Sequence, residues 1–281
     1  MRAAFVLALA LVGHFPAAEA AVTPFELGDQ GGVILPVSLN GHGPFRFLLD
    51  TGSTHSAVSE SVAAAVGALP VARTVVGSAL GGRDVIVVRI DVLECGALVA
   101  RGLQASVAAL NQVSGADGVQ GVLGQDALAT VRYTIDFRQH QLLWWPDDRA
   151  VARGMSFALE DSHGRFLVEL PQRRGVLRLV PDSGAATLLL FDPPQQLPLT
   201  LLSRQATLTT MSAHGTVRLA RMRELRVGRA TLQNVAAVVA NRNGSEPEET
   251  DGLLPLNLFD RVTFDGPNRV LILEGTALTP A

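Results

Sequence analysis

Cysteine and tyrosine are nearly missing from this chain: its 281 residues contain one of each, Cys95 and Tyr133. A lone thiol excludes any intrachain disulfide, so the fold must rest on apolar burial and hydrogen bonds. Cys95 lies in Val92-Leu-Glu-Cys-Gly-Ala-Leu98, with no histidine close by, and reads as a small buried hydrophobe. Basic clusters are missing too. The formal net charge is −3, and Arg153, Arg173-Arg174 and the arginines from Arg218 to Arg229 are scattered through alternating segments. That pattern describes solvated faces and excludes a nucleic-acid partner. The six histidines never fall at metal-ligand spacing, so neither a metal nor a cofactor is expected. Neither a G-x-S-x-G elbow nor a phosphate-binding glycine loop occurs. Beyond the N-terminus no segment is long and uncharged enough to cross a bilayer, so no stable membrane insertion is expected.

What is present begins with a leader. Arg2 gives a short positive region, Ala3 to Val12 an apolar region, and Ala18-Glu19-Ala20 a small-residue cleavage site. Residues 1–20 therefore read as a signal peptide, and the chain as exported, to the periplasm or beyond the cell. No cysteine follows the apolar region, which disfavours a lipid anchor. Asn243-Gly-Ser245 is formally a sequon and reads as a loop. About 260 residues remain, enough for two domains that each bury a core.

The mature chain reads as all-β. Short apolar or alternating runs at Val33 to Leu39, Phe45 to Leu49, Val85 to Val92 and Gln141 to Trp145 are separated by Gly, Pro and Asn. The second half repeats them at Arg165 to Leu170, Val176 to Val180, Thr216 to Val227 and Val270 to Leu273. Helix is brief: Ser59-Glu60-Ser61 caps a segment from Val62 to Leu69, and single turns are expected at Gln125 to Thr130 and Leu256 to Asp260. Alternation stops after Trp144-Trp145, so a boundary in Pro146 to Gly154 divides the chain into lobes 21–150 and 151–281.

The lobes are copies. Asp50-Thr51-Gly52 and Asp182-Ser183-Gly184 each end a strand pattern opened 18 residues earlier, at Gly32 and Gly164. Gly121-Val-Leu-Gly-Gln-Asp-Ala-Leu128 follows Asp50 by 71 residues, and Gly252-Leu-Leu-Pro-Leu-Asn-Leu-Phe259 follows Asp182 by 70. One Asp-[Thr/Ser]-Gly triplet alone would describe a tight turn. Two at matched offsets describe an internal repeat carrying one carboxylate per copy.

Two carboxylates within hydrogen-bond reach share a proton, because like charges at that distance do not both ionise comfortably. Such a pair holds both a base to activate water and an acid to protonate an amide carbonyl. Gly52 and Gly184 would admit backbone amides close to the carboxylates. The hydroxyls of Thr51 and Ser183 can donate across the lobe interface, and Ser53 can accept or donate beside Asp50, where Ala185 cannot.

On these residues the chain resembles the pepsin/retropepsin superfamily of aspartic peptidases, and among them the exported bacterial retropepsin-like proteins. The resemblance covers nearly all of the mature chain and rests on Phe47-Leu-Leu-Asp-Thr-Gly-Ser53, Gly121 to Leu128, Leu179-Val-Pro-Asp-Ser-Gly-Ala185 and Asp251 to Phe259. It implies two β-barrel lobes with a cleft between them, Asp50 and Asp182 as the catalytic pair, and an aspartic endopeptidase acting on peptide or protein substrates without a cofactor. With both half-sites in one chain, a monomer is expected. Pepsin-type enzymes carry a tyrosine on the flap, whereas Tyr133 lies after the Gly124 motif. The flap candidates are Gly77-Ser78-Ala-Leu-Gly81-Gly82 and Met211-Ser212-Ala-His214-Gly215, which offer two similar hairpins in place of one. Pro255 stands where the first lobe has Gly124, so the segment behind Asp182 is expected to differ in shape. These departures leave a second reading open, a catalytically weak protein that holds peptides or envelope ligands in the cleft.

Overall fold

The computed structural model of the chain describes residues 21–78, 81–110, 118–146, 154–193, 196–209, 214–242 and 249–275. The leader at 1–20, most of the boundary stretch between Pro146 and Gly154, and the Asn243 sequon lie outside the described residues. A first strand β1 (Ala21–Pro24) precedes β2 (Glu26–Leu27), β3 (Val33–Leu39), β4 (His42–Leu49), β5 (Ala57–Val58) and helix α1 (Glu60–Ala65). Then come β6 (Pro70–Ser78), β7 (Gly81–Cys95), β8 (Leu98–Val107), β9 (Gly121–Leu123), α2 (Gln125–Leu128), β10 (Arg132–Asp136) and β11 (Gln141–Trp144). The second half holds β12 (Met155–Ala158), β13 (Glu160–Ser162), β14 (Arg165–Pro171), β15 (Val176–Asp182) and β16 (Leu188–Phe191). It continues with β17 (Leu199–Thr209), β18 (His214–Val227), β19 (Ala230–Ala240), β20 (Gly252–Pro255), a 3-10 turn (Leu256–Leu258), β21 (Arg261–Asp265) and β22 (Val270–Glu274).

The repeat in sequence is a repeat in topology. One eight-stranded sheet runs β2-β3-β4-β9-β5-β8-β7-β6, with β3 also pairing β7, and the other runs β13-β14-β15-β20-β16-β19-β18-β17. Strand for strand the two orders are equivalent, so the protein is all-β with two β-barrel lobes. Local chemistry explains the hairpins. Between β3 and β4, Asn40 and Gly41 both have positive φ (49° and 77°), the backbone that a two-residue turn between twisted strands requires. β3 alternates so that Val33, Leu35, Val37 and Leu39 face inward, while Ile34 and Leu48 form a smaller apolar cluster with Leu110 and Val122.

In each lobe a parallel pair places the aspartate-bearing strand beside the glycine-led segment. Leu49 lies opposite Leu123 in the first lobe, and Asp182 opposite Pro255 in the second. The proline thus occupies the register position that follows from the first lobe, and the expected difference in shape does not reach the strand pairing. Helix α1 starts as its sequence indicates, with Ser59 Oγ accepting from Val62 N at 3.3 Å, but it ends at Ala65, four residues early. Gly67, at φ 61°, then turns the chain toward Pro70, which opens a strand.

A six-stranded sheet, β1-β11-β10-β21-β22-β12, joins the lobes, each of which contributes three strands. Its central pair, β10 and β21, is nearly symmetric. Thr134 faces Thr263 at the midpoint with both hydroxyls fully buried and 2.7 Å apart. On either side a salt bridge crosses between the lobes, Arg132 to Asp265 at 3.4 Å and Arg261 to Asp136 at 3.1 Å. On the opposite face Tyr133 stacks on Phe264 with ring centroids 5.2 Å apart, which makes the sole tyrosine a core residue at 1% exposure. Cys95 is buried as expected, and burial pushes its thiol up to about 12.

The Thr134–Thr263 contact yields a double-mutant test. Replacing either threonine by valine strands the other hydroxyl in a dry interface and should cost about 1–3 kcal/mol. The double valine variant should recover most of that loss in thermal or urea unfolding, because two apolar groups of the same shape then face each other. Additive losses would show that the hydroxyl pair does not join the lobes.

Candidate active site

Asp50 follows the last residue of β4 and Asp182 is the last residue of β15, so each lobe delivers one carboxylate at the junction. Each is held by its own turn. Gly52 N donates to Asp50 Oδ1 at 3.0 Å, and Gly184 N donates to Asp182 Oδ1 at 2.7 Å, joined by Ala185 N at 3.2 Å. The two carboxyl groups lie close enough for each to shift the other's ionisation. The triplet glycines leave the space that this requires. A Cβ on Gly52 would lie 2.6 Å from Asp182 Cγ, and one on Gly184 would lie 3.1 Å from Asp50 Cγ. Any larger residue would press on the opposite aspartate.

Four further bonds tie the turns together across the lobes. Thr51 N donates to Ser183 Oγ at 3.1 Å, and Ser183 N donates to Thr51 Oγ1 at 3.0 Å. Each hydroxyl then donates onward, Thr51 Oγ1 to Pro181 O at 2.7 Å and Ser183 Oγ to Leu49 O at 2.6 Å. All four bonds are buried, so breaking one strands a partner away from water. Ser53 takes no part in this exchange. Its hydroxyl donates to His55 O at 2.8 Å on the exposed side of the loop, while its amide donates to Asp50 O at 3.2 Å. The expectation that the Ser53 hydroxyl acts beside Asp50 is therefore corrected.

Burial raises both carboxyl groups above the ordinary carboxylate value. Asp182, 6% exposed, is raised well above that value, by desolvation and then by the negative charge of Asp50. Asp50 retains a partly exposed edge, and the positive charge of Arg165 from the second lobe favours its ionised form. The two carboxyl groups thus have unequal surroundings, and a pair this close titrates as a unit.

Residues that the motif reading passed over lie directly behind the Asp50 turn. Gln125, 3% exposed, donates from Nε2 to Thr51 O at 2.8 Å. Asp126 accepts from Ser56 N at 2.9 Å and from Ser56 Oγ at 2.7 Å. The signal was available, since Gln125 and Asp126 are polar residues inside an otherwise apolar motif.

The flap candidates divide differently. Gly77 pairs with Gly82 and Ser78 with Gly81, so all four belong to the stem of the β6–β7 hairpin and not to its turn. In the second lobe Leu208 pairs with Gly215 and Thr209 with His214 at the end of β17–β18. Ser212 and both hairpin tips, residues 79–80 and 210–213, lie outside the described residues. Long hairpins thus occupy equivalent places in both lobes. Among the described residues no group of His, Cys, Asp or Glu forms a metal-binding cluster.

Comparison with known proteins agrees with this geometry. The sequence model of a family described as Aspartyl protease matches residues 35–127, which is most of the first lobe. No curated protein matches the chain. Among solved structures, the crystal structure of an aspartic proteinase from Irpex lacteus superposes with a TM-score of 0.55 at 14% identity. That match covers 93% of this chain and 99% of the other, and it shows a shared two-lobed fold. A retropepsin-like aspartic protease from Rickettsia conorii aligns over 45% of this chain and 90% of its own, at 15% identity and a TM-score of 0.33. The family match is thus confined to the first lobe, and the likeness to the Irpex lacteus structure is one of fold.

The raised carboxyl values set the direction of a stability test. For a group raised on folding, the contribution to stability is fully present below its unfolded value, near 3.8, and lost as pH rises through the folded value. Asp182→Asn removes that loss. The variant should therefore unfold at a higher temperature than the parent chain at neutral pH, and the gap should close as pH falls below about 4. A variant that is less stable at neutral pH, or a gap that does not change with pH, would contradict the buried shared-proton pair.

Proposed function

We propose that this protein is an aspartic endopeptidase that hydrolyses peptide bonds with water activated by Asp50 and Asp182, and that it acts as an exported monomer. The observation that carries the reading is the close approach of the two aspartates, each packed against the other's glycine in turns that are locked together across the lobes. Asp50, ionised beside Arg165, takes a proton from the water as its oxygen adds to the scissile carbonyl carbon. Asp182, carrying the shared proton, donates it to the carbonyl oxygen, which gives a neutral gem-diol. Transfer of the proton held by Asp50 to the amide nitrogen breaks the C–N bond, and a gem-diol hydroxyl returns its proton to Asp182. Charge stays within the pair throughout, and no covalent enzyme intermediate forms. The equivalent hairpins β6–β7 and β17–β18 suit two covers for an extended substrate, which would exclude water from the reacting bond. Export rests on the leader-like residues 1–20, and the monomer on the presence of both half-sites in one chain.

The test is digestion of a peptide library by purified residues 21–281 between about pH 4 and pH 6, with and without pepstatin. Pepstatin-sensitive cleavage is expected. Asp50→Asn and Asp182→Asn should each abolish it while folding normally, and the double variant should be no worse than either, since the two groups act as a unit. Full activity in either single variant would remove the dyad from the mechanism. Tight pepstatin binding without cleavage would instead favour a binding protein.

A further inference from the structure

The two halves of the site are not braced alike. In the first lobe the side chain of Gln125 donates to Thr51 O at 2.8 Å, and its backbone N donates to Ser53 O at 2.9 Å. Asp126 N donates to Thr54 O at 3.2 Å, and the Asp126 carboxylate accepts both donors of Ser56. Ser56 Oγ in turn accepts from Gly124 N at 3.1 Å. These bonds reach every residue from Thr51 to Ser56 except Gly52 and His55. In the second lobe the equivalent places are Leu188 for Ser56, Pro255 for Gly124, Leu256 for Gln125 and Asn257 for Asp126. Leu188 and Leu256 are fully buried, the proline has no amide hydrogen, and Asn257 makes one long bond of 3.4 Å to Ala186 O. A polar brace in one lobe gives way in the other to apolar residues at three of four places and to a weakly bonded asparagine at the fourth.

Gln125 is an uneconomical choice if stability alone is at issue. Its Oε1 is buried and accepts no hydrogen bond among the described residues, while the second lobe fills the same place with leucine. A buried amide with half its capacity unused is unfavourable, so the bond to Thr51 O is what accounts for it. Thr51 adjoins Asp50 and provides half of the cross-lobe exchange, so fixing its carbonyl fixes both.

We propose that Gln125, seconded by Asp126 through Ser56, is a positioning residue that holds the Asp50 turn rigid from behind, while the Asp182 turn is left to follow it. This rests on the reading of Asp50 and Asp182 as the reacting pair. The brace keeps the Asp50 oxygens at a fixed place for the attacking water, and the looser second turn adjusts as the proton moves.

The test compares Gln125→Leu, which installs the second lobe's own residue, with Asp126→Asn and Ser56→Ala. Each is measured by thermal unfolding, by amide hydrogen exchange at Gly52 and Ser53, and by peptide cleavage. Gln125→Leu removes an unpaired oxygen as it strands Thr51 O, so its unfolding temperature should move by only about 2–4 °C. Exchange at Gly52 should accelerate about tenfold or more, and kcat should fall about tenfold with KM nearly unchanged, because a misplaced reacting group costs rate and not binding. Asp126→Asn and Ser56→Ala should give smaller effects of the same kind, and together no more than either alone. Exchange at Gly52 that is unchanged in Gln125→Leu would overturn the proposal, as would an activity loss explained entirely by the unfolded fraction. If the parent chain proves inactive on peptides, the exchange measurement still decides the brace, so the two readings fail separately.

Discussion

Thr51 and Ser183 exchange hydrogen bonds at the point where the two lobes meet, and the geometry of the site follows from that exchange. Each amide donates to the hydroxyl of the other lobe, and each hydroxyl donates onward to a carbonyl beside an aspartate. Buried hydrogen bonds contribute only about 0.5–1.5 kcal/mol each, but leaving one unmade costs about 1–3 kcal/mol. The four therefore form and break together, and the lobes have one relative placement at this level. Two carboxylates that would repel if ionised are brought into contact by neutral groups alone. The six-stranded sheet repeats the device at a distance, with Thr134 and Thr263 hydrogen-bonded between two reciprocal salt bridges.

Duplication makes the pair possible, and departure from duplication makes it useful. A perfect twofold site would give both aspartates the same surroundings and the proton no preference. Here Arg165 favours the ionised form of Asp50, whereas the equivalent place in the first lobe is the buried Val33. Asp182 is the more deeply buried, and burial raises its carboxyl group well above the ordinary value. The polar set of Ser56, Gly124, Gln125 and Asp126 stands behind one aspartate only. Each difference sets the surroundings of one aspartate apart from those of the other, and the proposed division of base and acid rests on the first two.

Much of this was legible in the sequence because the repeat supplies two readings of each feature. Val33–Leu39 is recovered residue for residue, and the strands that end at Leu49 and Asp182 follow from their apolar runs. The hydroxyl exchange of Thr51 and Ser183 could be anticipated from residue type and matched offset alone. Other elements were hidden for definite reasons. β8 carries Arg101 and Gly102 at its centre, and β6 has exposed Val71 and Val75, so neither shows the alternation of a half-buried strand. In the flap hairpins glycine suggests the turn, yet Gly77, Gly81 and Gly82 are ladder residues. In sequence Gln125 stands out only as part of a motif, because its partner is a backbone carbonyl 74 residues away, which no local pattern reveals. Conversely, Pro255 signalled a change of shape that strand pairing absorbs, since its missing donor faces a lobe with leucine where Ser56 would have accepted.

The central claim is that Asp50 and Asp182 share one proton in a site of unequal halves, and the titration of the two carboxyl carbons tests it most directly. With aspartate labelled at Cγ, the two resonances, assigned from the Asn variants, should titrate as a coupled pair. One macroscopic step should lie well above the ordinary carboxylate value of 3.8, and the larger high-pH change should fall on Asp182. Two independent titrations at or below that value would mean that the carboxyl groups do not interact, and the account of the site would be wrong.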